Sequence, residues 1–132
     1  MDWTKFLNFK KESFDQGGPP MDENFMHKLQ TARSLAEELC KDLGYPRSSA
    51  YFVINSGSRS EEHNRQVGGK PDSTHLYGRA CDIKATNSRS RFIIAKSLLL
   101  AGFTRIGIGE DFIHVDIGYP NKDIYVMWTY YE

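Results

Sequence analysis

Only two cysteines, Cys40 and Cys81, occur in 132 residues. Neither their number nor their spacing makes a disulfide framework, so both are expected to be buried free thiols made in a reducing compartment. A surplus of either charge is also missing: Lys plus Arg and Asp plus Glu stand at 17 each. That balance removes the electrostatic case for nucleic acid and for a solvating acidic tail. Long apolar runs are absent too. The longest, "FIIAKSLLLAGF" from Phe92 to Phe103, is broken by Lys96 and Ser97 and is too short to span a bilayer, so no membrane insertion is expected. The opening "MDWTKFLNFKKESF" lacks the basic start and apolar block of a secretory signal. Synthesis in the cytoplasm without a signal peptide is the expectation.

The chain contains 39% hydrophobic and 26% charged residues, ordinary values for a globular protein. Its length suits one domain over 1–132 with a core that needs no staples. After a polar lead broken by "QGGPP", a helix is expected from Asp22 to Leu43. There Phe25, Leu29, Ala32, Ala36, Leu39 and Leu43 recur at helical spacing. Asp22 is its candidate N-cap, and Gly44 followed by Pro46 its stop. A second helix is expected over Ser88–Leu100, capped by Asn87 or Ser88 and ended by Gly102. Strands are expected at "AYFVIN" (50–55), "GRACDIKA" (78–85), in a hairpin over 103–118 turning at Gly109, Glu110 and Asp111, and at "DIYVMWTYYE" (123–132). Two helices on a mostly antiparallel sheet make the fold class α+β.

Between two expected strands lies "SGSRSEEHNRQVGGKPDSTHLYGRACDI", residues 56–83, polar almost to its end. A long excursion anchored on rigid strands is a candidate functional segment. Strand parity places Asp82 with Ala80 and Lys84, opposite Cys81 and Ile83, and places His114 with Phe112 and Asp116, opposite Ile113, Val115 and Ile117. If those strands are neighbours, Asp82 and His114 converge, and His75 can join them from the loop across Gly78. Two imidazoles and a carboxylate with a free fourth position form an open zinc site. Spacing alone is a weak signal. His75 can equally be an exposed loop histidine, Asp82 a strand-edge carboxylate and His114 a half-buried hydrogen-bonded one.

The segment 56–83 together with "GEDFIHVDIG" resembles the zinc D-Ala-D-Ala carboxypeptidase and L-alanyl-D-glutamate endopeptidase family of bacterial cell-wall peptidases, which shares its fold with the hedgehog signalling domain. The resemblance spans about 21–118. It rests on Ser73, His75 and Asp82 in a Ser-x-His, six residues, Asp pattern, on Asp111 and His114 as acid-x-x-His, and on Arg59 in "SGSRS". It implies one Zn²⁺ held by His75, Asp82 and His114, with Asp111 as general base, for which Glu110 is the obvious substitute. It also implies that Arg59 binds substrate or steadies an oxyanion, a task suited to a rigid, permanently charged fork. Ser73 is a candidate for binding substrate or orienting His75. Asp116 is a candidate carboxylate behind His114, because ligand histidines commonly donate their other nitrogen to such a group. Asp111 is equally an ordinary turn residue, and where many relatives carry a histidine two positions before the last ligand this chain has Phe112. His63 and Asn64 are expected to brace the loop, and Trp128, Tyr125 and Tyr119 to line core or cleft.

The expected function is zinc-dependent hydrolysis of D-amino-acid-containing peptide bonds in peptidoglycan stem peptides. The expected setting is a phage or prophage lysis enzyme that acts at the cell wall once released, as a monomer. The alternative is a non-catalytic zinc-bearing module that binds a peptide or protein.

Overall fold

The computed structural model describes residues 1–119 and 124–130. The long helix α2, Glu23–Leu43, forms as its apolar spacing predicts, and both ends are capped. The Asp22 carboxylate accepts from the Phe25 N–H at 2.8 Å, and Gly44 closes the helix in the left-handed region at φ 73°. Phe25, Met26, Leu29, Ala32, Ala36 and Cys40 are buried along one face. Helix α4, Ser88–Leu100, is capped by Asn87, whose side chain accepts from Ser90. It buries Ile93, Ile94 and Leu98 and packs on α2.

A five-stranded sheet runs in the order β2 (Ile54–Ser56), β4 (Ala80–Lys84), β6 (Phe112–Asp116), β5 (Arg105–Ile108), β7 (Val126–Thr129). All pairs are antiparallel except β5 with β7, which is parallel. The chain therefore adds its last strand beside β5 in the same direction. The first-expected strand is shorter than its apolar run suggests: Arg47–Ala50 forms a 3-10 turn and only Ile54–Ser56 pairs.

Cys81, Ile83, Ile106, Ile113 and Val115 join the helix residues in one core, so the two helices cover one face of the sheet. The opposite face carries the side chains of alternate parity. Register aligns Ser56, Asp82, His114, Gly107 and Trp128 in one row across all five strands. The next row sets Ala80, Asp116, Arg105 and Val126 side by side.

Two segments are more ordered than their sequence suggests. The N-terminal lead forms a short helix α1, Lys11–Phe14, and a strand β1, Asp15–Gln16. Strand β1 pairs in parallel with β3, Ser58–Arg59. The lead also delivers Phe6, Phe9 and Phe14 to the core. The polar stretch holds helix α3, Glu61–Gln66, capped by Ser60, and a 3-10 turn over Thr74–Tyr77. Of the expected C-terminal strand, residues 123, 131 and 132 lie outside the described residues. Cys40 and Cys81 are free and buried. No helix among the described residues is long and apolar enough to cross a membrane.

Candidate metal centre

His75 reaches the site from a turn built to hold it. The Ser73 hydroxyl caps that turn by accepting from the His75 N–H at 3.2 Å. Gly78 ends it at φ 67°, where a Cβ would lie 2.3 Å from the Pro20 carbonyl oxygen. A side chain at 78 would meet both backbone strain and a clash. His75 thus approaches from a capped 3-10 turn that ends at Gly78. The His75 ring is 3% exposed, and its Nδ1 stands 2.7 Å from the Gly57 carbonyl oxygen. A carbonyl only accepts, so Nδ1 carries the proton and Nε2 presents its lone pair.

His114 shows the same division of labour on strand β6. Its Nε2 is 2.6 Å from the Asp116 carboxylate, and its Nδ1 is 2.9 Å from Asp82 Oδ1. His75 Nε2 approaches that same oxygen at 3.3 Å. The three donor atoms of His75, Asp82 and His114 all lie within 4.8 Å of one another.

This arrangement is itself a test of whether a metal fits. Each imidazole uses one nitrogen as a donor to an acceptor behind it, and each aims the other at a shared carboxylate oxygen. Three electron-rich atoms converge, so whatever fills the space between them must be positive: a proton or a cation. The pKa directions agree. Burial alone would lower the His114 imidazole, but hydrogen bonds to Asp116 and Asp82 and their charges raise it above its ordinary value. Burial alone would raise the Asp82 carboxyl, yet hydrogen bonds with His114 and His75 and their charges hold it well below the usual carboxylate range. Two imidazoles and one carboxylate are a zinc donor set with room for a fourth ligand.

The outer contacts are also built in. Asp116 is 1% exposed. It accepts from Arg105 Nε, from the Gly118 N–H at 2.8 Å and from the Thr74 hydroxyl at 3.2 Å. The Arg105 partner comes from register, since Arg105 and Asp116 face each other across β5 and β6. Arg59 braces the other carboxylate: its Nη2 donates to Asp82 Oδ2 at 3.3 Å, its Nε to Ser56 at 3.0 Å and its Nη1 to Asn64 at 3.2 Å. Asn64 also donates to the Lys70 carbonyl, which ties α3 to the loop that follows it. His63 sits in α3, its backbone N–H bonded to Ser60.

These groups open into a cleft of about 770 Å³. Arg59, Ser73, His75, Asp82, His114 and Asp116 all border it, as do Phe112, Trp128 and Tyr130. Asp111 does not border it. Its side chain is exposed at the turn before β6, and its carbonyl accepts from the Ala85 N–H. Glu110 is exposed on the same turn. The structure thus gathers six of the seven site residues picked from sequence around the cleft and leaves Asp111 exposed outside its lining. Trp128 is cleft wall, whereas Tyr125 is exposed. Asn64 braces the loop as expected, whereas sequence reasoning missed Arg105 and Tyr130. Arg105 carried no local signal, but Tyr130 lies two residues beyond Trp128, on the same strand parity.

The His75, Asp82 and His114 cluster that could hold a metal ion borders an open cleft. The sequence profile of peptidase M15 matches residues 7–116, so the chain belongs to the peptidase M15 family. Comparison with curated proteins gives no match.

Proposed function

We propose that the protein is a zinc peptidase that hydrolyses D-amino-acid-containing peptide bonds in the stem peptides of bacterial peptidoglycan. The observation that carries this reading is the convergence of His75 Nε2, Asp82 Oδ1 and His114 Nδ1 in a cleft large enough for a short peptide. The family membership places it among metallopeptidases, and the Ser73–His75–Asp82 pattern described above supports the cell-wall substrate. His75, Asp82 and His114 would hold the ion. Zinc bound there would supply Lewis acidity, which polarises a carbonyl and activates water near neutral pH.

The chain's own residues do the rest. Asp116 fixes the tautomer of His114 and Gly57 that of His75, so both lone pairs face inward without reorganisation. Arg59 uses three of its five N–H donors on Ser56, Asn64 and Asp82. The remaining two can bind a substrate carboxylate or carbonyl oxygen. Ser73 positions His75 and borders the cleft.

The general-base role is assigned to Asp111 because it stands three residues before His114 on the turn that feeds β6. A base must come within hydrogen-bond reach of the proton it takes, so this role requires the turn to bring the Asp111 carboxylate into the cleft when substrate binds. The exposed position of Asp111 is the observation that favours the second reading, a zinc-bearing peptide-binding module. One experiment separates them. Purified muropeptides are incubated with the zinc-loaded protein and with Asp111→Asn, with and without chelator, and followed by mass spectrometry. Chelator-sensitive cleavage by the parent, lost in D111N at unchanged zinc content, is expected. No cleavage by the parent would leave only the binding module.

A further inference from the structure

Two aromatic residues that border the cleft, Trp128 and Tyr130, lie beyond the segment matched by the family profile. Trp128 lies in the same register row as His114, with Gly107 between them. The absence of a side chain at Gly107 is what lets the wall stand there. A Cβ at that position would lie 2.7 Å from Trp128 Cε2 and Nε1 and 2.7 Å from Tyr130 Cε2, closer than a real Cβ contact allows. Both rings therefore lie over bare backbone next to the candidate ligand. The Trp128 ring centroid is 5.6 Å from that of His114, and the Tyr130 centroid is 6.4 Å from it. Strand pairing fixes the backbone, because the Tyr130 N–H donates to the Ile108 carbonyl and extends the β5–β7 ladder.

The Tyr130 ring is seated edge-on against Trp128, with centroids 6.2 Å apart. Its phenol hydroxyl carries a hydrogen that it can donate to a ligand in the cleft. Tyr130 is half exposed and borders the cleft, so a ligand can reach that hydrogen. Peptide hydrolysis places charge where such a donor matters. Water oxygen gives up a proton to the base and bonds to the carbonyl carbon while the C=O π pair moves to the carbonyl oxygen. That pair then returns to re-form C=O as the C–N pair leaves on nitrogen, which takes up the proton. Donors aimed at the oxygen that becomes negative act more strongly in the transition state than in the ground state. Within the cleft wall the nearby acids Asp82 and Asp116 cannot do this, because a carboxylate only accepts.

We propose that Tyr130 is a catalytic residue, donating its phenolic hydrogen bond to the carbonyl oxygen of the scissile bond as that oxygen becomes negative, with Trp128 and Gly107 as its positioning residues. This rests on the peptidase reading above. The test uses the full zinc-loaded chain, with pentapeptide-bearing muropeptides as substrate. Tyr130→Phe keeps the ring and loses the donor, so kcat is expected to fall about 10²-fold, the effect of removing one such donor, with KM nearly unchanged. Zinc content and thermal midpoint should match the parent. Gly107→Ala, which retains Tyr130 but drives both rings from their seat, should also lower kcat with zinc retained. A parent-like kcat in Y130F overturns the proposal while leaving the peptidase reading intact. An inactive parent overturns both.

Discussion

Removal of the Asp116 carboxylate separates what the site contributes to metal binding from what it contributes to folding. Asp116 is almost wholly buried and links two groups, His114 through Nε2 and Arg105 through Nε. In Asp116→Ala, the His114 ring loses the acceptor that fixes its tautomer. Losing such an outer partner lowers metal affinity about 10- to 100-fold, or about 1.4–2.7 kcal/mol. The second consequence concerns Arg105, whose side chain is 9% exposed. Its cation would lose the buried ion pair with Asp116, a change that costs up to about 3–5 kcal/mol. Against a total stability of about 5–15 kcal/mol the variant should still fold, with a clearly lower melting point. Competition titration with a chromogenic chelator reads the first effect, and urea unfolding of the metal-free protein reads the second. Adding Arg105→Met removes the charge that lost its ion pair, so the double variant should regain part of the stability while its zinc affinity stays low. Zinc affinity in D116A within about threefold of the parent would refute the orienting role. A double variant no more stable than D116A would refute the argument from the broken ion pair.

Other expectations concern pH and the scaffold. The folded pKa of His114 is raised, so its stabilising contribution is complete below about pH 6.5, the unfolded value, and is lost as pH rises through the folded value. Asp82 and Asp116 are depressed, so theirs is present above about pH 3.9 and is lost as pH falls through the folded values. Metal-free protein should therefore be most stable between about pH 4 and 6.5 in urea titrations at varied pH, and an optimum above pH 8 would contradict the charge pattern. Asp22 caps α2 and pairs with Arg79 at 3.2 Å. Asp22→Ala should destabilise by about 0.5–2 kcal/mol in the same assay, with zinc affinity unchanged.

The sequence made some parts of this protein legible and hid others for physical reasons. The convergence of Asp82 and His114 could be read because strand side chains alternate strictly, and the observed register sets the two residues opposite each other. Helix α2 was equally plain, with a periodic face bounded by Asp22 and Gly44. Arg105 was not, because its role comes from pairing across strands, and local sequence does not say which strand will face Asp116. The parallel placement of β7 was hidden for the same reason, and with it the position of Tyr130. Phe6, Phe9 and Phe14 escaped notice because a lead of single turns shows no period. Helix α3 is only six residues long, too short to impose a pattern on a polar stretch. Asp111 marks the opposite case: its spacing before His114 was clear, yet a spacing does not fix where an exposed turn side chain lies.

The account depends on one claim, that His75, Asp82 and His114 together grip a single zinc ion. Its most direct measurement is zinc per chain by elemental analysis after dialysis against trace free metal, for the parent and for His75→Ala. One equivalent in the parent and almost none in H75A is the predicted result, with both proteins folded by circular dichroism. A full equivalent retained by folded H75A would contradict the account.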